Sequence, residues 1–244
     1  MNINALTSLA LASLLATSVL AGTALTARDQ QRTAAVLQGS GAMSLRSFVP
    51  AVSTSSADER LRAAAEPFET LTEISPSAAL LTVDRTINEA ETAARSVRGL
   101  LPNGLGHQLD AQLAAVTTAR RKYDRVELAL ASIEAYRVLV SAVATDAKVP
   151  AAINLLDYAG FRYNVDLAAK PVRWGDMAQA VSFARSQWEG LPPMAKSSPV
   201  AAQFDTALVD MNKAVAQRNE ALAAASAKTE LDLVDQLEKL FSAP

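Results

Sequence analysis

The chain has no cysteine, one histidine and few aromatic residues among its 244 positions. Without cysteine there are no disulfides, no thiolate metal site, no lipoprotein anchor and no C-x-x-C-H attachment for haem c. A lone His107 cannot supply both a triad and a metal cluster, and neither Ser-x-x-Lys nor Gly-x-Ser-x-Gly occurs. No phosphate-binding glycine motif is present either. A non-covalent Met/His haem would need His107 in a helix body facing a methionine. Its place beside the turn "NGLGHQ" puts it at a helix start, exposed. Charge is also lacking: a net −2 and a pI near 5.5 leave no basic footprint for a nucleic-acid partner.

What is present is half hydrophobic and rich in Ala, Leu, Glu and Arg, which are helix formers, with few strand-forming stretches. The sequence therefore predicts an all-α protein. The opening "MNINALTSLALASLLATSVLAGTALTARDQQ" has an uncharged apolar segment from about Ala5 to Ala21, then Ala-Leu-Thr-Ala and polar residues. That is the pattern of a secretory signal peptide over residues 1–27, although no Lys or Arg precedes the apolar run. The alternative is a retained anchor, for which the many Ser and Thr make a poor spanning helix. Export to the periplasm or outside is the expectation, with membrane contact only in transit. Residues 28–57 lack helical period and read as a linker or arm able to reach a protein partner; residues 58–244 read as the bundle.

Helix boundaries follow from local punctuation. A short helix from Asp58 meets Pro67, which breaks or kinks it. Ser75-Pro76 and Ser198-Pro199 are read as cap-plus-proline starts, and "LPNGLG" as a stop before a helix from about His107 to Lys122. Asp124, with Glu127 three residues on, opens a helix to about Ala144; Gly190 closes another; Asn219 caps the last. Short connections give an up-and-down antiparallel bundle of about six to seven helices. "QLDAQLAAVTTARRKYDRVELALAS" and "QFDTALVDMNKAVAQRNEALAAASA" resemble each other weakly, as an old hairpin duplication or, more simply, as convergence of two Ala-rich hairpins.

Three carboxylates sit among apolar neighbours at helical spacing: Asp157 in "AINLLDYAGFRY", Glu134 and Glu230. Asp232, by contrast, has polar neighbours and reads as solvated surface. If Asp157, Glu134 and Glu230 converge, with Tyr158, Tyr136 and Tyr163 nearby, they make an all-oxygen site for a hard cation: Ca, Mn, Mg or a lanthanide. The simpler expectation is pairing: Glu134 with Arg137, Asp157 with Arg162 or another arginine, Glu230 with a hydroxyl. The functional expectation is an exported binding or accessory module of the bacterial envelope, not an enzyme. Its alternative is a structural or protein-interaction module with no small-molecule ligand. Acid/base catalysis would need two carboxylates with separated pKa values in an open cleft.

Overall fold

A computed structural model describes residues 56–144 and 147–242. The signal peptide expected at 1–27 and nearly all of the arm expected at 28–57 lie outside the described residues. Among the described residues every regular element is helical. In chain order they are α1 (Ala57–Ile74), α2 (Leu80–Val97), a 3-10 turn (Arg98–Leu100), α3 (Asn103–Lys122), α4 (Arg125–Val140), α5 (Ala151–Ala168), α6 (Trp174–Gly190), α7 (Pro193–Lys196), α8 (Ala201–Gln217) and α9 (Glu220–Ser242). None of them is long and apolar enough to cross a membrane.

Several starts follow the sequence. Ser56 caps α1 in a reciprocal box with Glu59, so the helix takes in the last residue of the expected arm. The Asp124 side chain accepts from the Glu127 N–H, and that of Asn219 accepts from the Leu222 N–H, as their positions predict. The serine-proline signals fail. Ser75 closes α1 rather than opening α2, and Ser198 returns its hydroxyl to the Ala195 carbonyl ahead of α8. Nor does Pro67 break α1, because Phe68 and Leu71 are both buried and hold that stretch against its neighbours. His107 is exposed in the early part of α3, as expected, while "NGLG" belongs to the helix instead of stopping it.

The helices fall into two groups built alike. In one, α1 packs on α2 and α4, and α3 packs on α4. In the other, α5 packs on α6 and α9, and α8 packs on α9. The likeness extends to individual positions. The displacement that carries Gln108 onto Gln203 also carries Leu61, Ala64, Ala65 and Phe68 of α1 onto Leu156, Ala159, Gly160 and Tyr163 of α5, all buried. It carries Leu109, Val116 and Ala119 of α3 onto Phe204, Met211 and Ala214 of α8, again all buried. A displacement one residue shorter carries Val83, Ile87, Ala90 and Ala94 of α2 onto Met177, Val181, Ala184 and Trp188 of α6. The helix ends agree too: α3 and α8 both stop at a left-handed residue, Tyr123 (φ 57°) and Arg218 (φ 49°), followed by the capping Asp124 and Asn219. Chance likeness of two hairpins does not account for buried positions that correspond in α1 and α5, α3 and α8, and, with a one-residue shift, α2 and α6.

The two groups meet where α4 packs on α5. These two helices are buried on most sides, which explains why "VELALASIEAYRVLV" and "AINLLDYAGFRY" are apolar almost all round. Along this seam α1 and α9 stand on either side of the α4–α5 floor and share the lining of a groove.

Candidate functional site

At one end of the groove is a cavity of about 360 Å³. Its lining alternates along each helix at the three- and four-residue spacing of one face. From α1 come Arg62, Glu66 and Glu69; from α9, Asp235 and Glu238; from α5, Asn154 and Asp157; from α4, Tyr136. Five carboxylates thus face one guanidinium. Arg62 spends that guanidinium on neutral acceptors, the Asn154 side-chain oxygen and the Val149 carbonyl. Among the described residues none of the five carboxylates makes an ion pair.

Asp157 is the most buried of the five carboxylates, 8% exposed. Its Oδ2 accepts from the Tyr136 hydroxyl at 3.1 Å, and among the described residues nothing donates to its other oxygen. Burial pushes its carboxyl well above the ordinary range, Glu69 and Glu238 push further, and the Tyr136 hydrogen bond only partly opposes them. Glu69 is raised to about 7, by burial first and then by Glu73, Glu238, Glu66 and Asp235. Glu238 is raised by burial and Asp235, although Arg62 and the Asn154 amide, which donates to it at 2.9 Å, pull the other way. Each shift is of the sign expected when carboxylates are crowded and partly dehydrated.

Behind this chamber, Glu230 of α9 is wholly buried, and among the described residues neither of its oxygens has a hydrogen-bond partner. It rests against Gly160, where a Cβ would collide with its Oε2 and come within 2.6 Å of Leu231 Cδ2. Burial, and then the nearby Asp157, raise its carboxyl well above the ordinary range, as expected of an acid cheaper to keep neutral than charged. In the first group its counterpart is Ala135, and that of Gly160 is Ala65.

Glu134 does not join them. Arg137 donates to it at 2.8 Å, Arg162 pairs with its other oxygen, and Tyr158 adds a hydroxyl at 2.8 Å. Burial raises its pKa, but these donors outweigh burial and hold it below the ordinary range. Arg162 also pairs with the fully buried Asp166 at 2.9 Å, so it is not the partner of Asp157. Tyr163 points elsewhere, to the Met211 carbonyl at 3.1 Å. The expected convergence of Asp157, Glu134 and Glu230 is therefore corrected: Asp157 and Glu230 are close enough to repel, while Glu134 is held by arginines. Among the described residues no group of three or more acids or histidines is disposed to hold a metal ion. Pairing was foreseen correctly for Glu134 with Arg137; Asp157 takes a tyrosine instead, and Glu230 takes no hydroxyl.

Sequence reasoning missed Glu66, Glu69, Asp235 and Glu238. The available signal was an acidic stripe, Glu66-Glu69-Glu73, at helical spacing on α1 opposite Asp235-Glu238 on α9. Comparison of the chain with protein-family models, with curated proteins and with solved structures gives no match in any of the three.

Proposed function

We propose that this protein is an exported helical-bundle binding module, and that the acidic chamber between α1, α4, α5 and α9 receives an organic cation. The observation that carries this reading is the set of five carboxylates around one cavity with no ion pair among the described residues. Like charges gathered around a partly buried space cost stability, and a positive guest offsets that cost. An ammonium group suits the chamber better than a bare metal ion. It donates up to three hydrogen bonds to separate oxygens and needs no tight coordination shell, which the carboxylates here do not form. Export is supported by the apolar N-terminal sequence alone.

The test is thermal unfolding of the full mature chain with 1,4-diaminobutane, and separately with Ca, Mn, Mg and a lanthanide. The diamine raises Tm in a saturable way, and Glu69→Gln together with Glu238→Gln weakens the effect at least tenfold. No shift with the diamine, or an unchanged shift in the double variant, overturns the reading. A saturable shift with a metal ion and none with the diamine replaces it by metal binding.

A further inference from the structure

The acidic chamber has an apolar neighbour. A second cavity, of about 520 Å³, is lined by Val126 and Ala129 of α4, Phe161 and Val165 of α5, and Leu231 of α9, with Thr72 and Glu73 of α1, Arg125 and Asn164 at its edge. The same four helices line both spaces. On α1 the lining passes from Glu69 to Thr72, on α5 from Asp157 to Phe161 and on α9 from Asp235 to Leu231, about one helical turn in each case, and on α4 from Tyr136 to Ala129, about two turns. The two chambers thus lie in line along the same four helices, with no lining residue in common, acidic at one end and mainly apolar at the other.

Of the polar side chains that line this stretch, Arg125 and Thr72 are spent on backbone carbonyls, while among the described residues Glu73 and Asn164 make no side-chain hydrogen bond. Arg125 donates to the Ser75 carbonyl at 2.6 Å and the Ala78 carbonyl at 3.0 Å, and the Thr72 hydroxyl donates to the Phe68 carbonyl at 2.8 Å. What this stretch offers a guest is mainly hydrocarbon and aromatic surface, with the Glu73 carboxylate at its edge. At the acidic end the offer is the reverse: a deeply buried Asp157 with one unpartnered oxygen, flanked by Glu69 and Glu238.

We infer that the ligand is a cationic amphiphile, a single hydrocarbon body lying along Phe161, Val165 and Leu231 with a primary ammonium or guanidinium head among Glu69, Asp157 and Glu238. This inference rests on the acidic-chamber reading and specifies its ligand class. Each space is of small-molecule size, within the range of about 300 to 1,000 Å³ usual for such sites. Charge complementarity selects the sign of the head, and the seam between the two helix groups supplies the slot for the tail. A polyamine would leave the hydrocarbon surface of Phe161, Val165 and Leu231 uncovered, and a fatty acid would set its carboxylate against five others.

The experiment is calorimetric titration of the full mature chain with butyl-, hexyl-, octyl- and decylammonium ions, each below its micelle-forming concentration. Diaminobutane, octanoate and an uncharged octyl glucoside are run alongside. Affinity rises about fourfold per methylene until the tail fills the slot, as burial of CH₂ groups predicts. Octanoate and the glucoside bind at least tenfold more weakly than octylammonium. Phe161→Ala, checked for an unchanged helical spectrum, flattens the dependence on length and leaves diaminobutane as it was; Phe161→Leu restores most of it. A flat length series, with diaminobutane as tight as decylammonium, overturns the amphiphile and keeps the acidic chamber. Absence of binding by every amine overturns both. Equal binding of octanoate or the glucoside shows an apolar slot without charge selection, and overturns this inference.

Discussion

The carboxyl of Glu230 on α9 fills the space that Gly160 on α5 leaves by having no Cβ. In the other helix group the same two positions are Ala135 and Ala65, both buried. One group has buried alanine at both positions; the other sets an acid against a glycine. Both positions differ between the halves, and in the second half the missing Cβ of Gly160 makes room for the Glu230 carboxyl.

Gly160→Ala forces Glu230 or Leu231 aside and is expected to cost about 1–3 kcal/mol by overpacking, against a gain of about 1 kcal/mol in helix propensity. Glu230→Ala alone removes an unpartnered buried carboxyl but leaves a cavity. The double variant recreates the Ala65/Ala135 pairing and should be more stable than either single variant. Urea unfolding of all four proteins decides: simple additivity would show that the two sites do not share one space.

Stability should rise as pH falls from about 8 toward 5. The Glu69 carboxyl titrates near 7 in the fold against an ordinary value of 4.5, and burial and its acidic neighbours raise it. Between those values the folded chain holds more protons than the unfolded one, so stability is greatest below about 4.5 for this group and is lost as pH rises through about 7. Asp157 and Glu238, raised in the same direction, add to the trend. Glu69→Gln should flatten the Tm-against-pH profile across that window. A profile unchanged by the substitution would remove Glu69 as its source.

Glu134 behaves in the opposite sense. Its pKa is lowered, so its contribution is present above about 4.5 and fades as pH falls through the depressed folded value. Glu134→Ala leaves Arg137, Arg162 and the Tyr158 hydroxyl without their shared acceptor and should cost about 1–3 kcal/mol, less than a fully buried pair because the site keeps some solvent. Asp232→Ala, which removes only an exposed partner of Lys228, should cost under about 0.5 kcal/mol. Chemical denaturation of both variants checks the contrast, and amine binding should be unchanged in each.

Tyr136→Phe removes the one hydrogen bond that favours the charged form of Asp157. The variant should bind ammonium ligands several-fold more weakly near neutral pH and recover toward wild type as pH rises, when Asp157 ionises without help. A pH-independent loss would mean that the hydroxyl acts by packing alone.

Much of the fold was legible because it is written locally. Caps such as Asp124 and Asn219 are decided by residues three positions away, and so is the Glu134–Arg137 pair. The serine-proline signals misled because the same dipeptide serves a turn that ends one helix as readily as one that begins the next, and Ser75 does the former. Asp157 was recognisable as unusual, but its partner Tyr136 lies on another helix, and the opposition of Glu69 to Glu238 depends on α1 and α9 meeting from opposite ends of the described chain. Spacing within one helix carries no information about that meeting. The weak resemblance of two hairpins was real, and its extent became visible once buried positions were matched helix by helix.

The groove has a wall from each helix group: α1 and α4 on one side of the seam, α5 and α9 on the other. A molecule seated there grips both halves at once and acts as a clasp. The halves already share one apolar core where α4 meets α5; a guest that touches both adds to that shared contact and moves the unfolding transition upward.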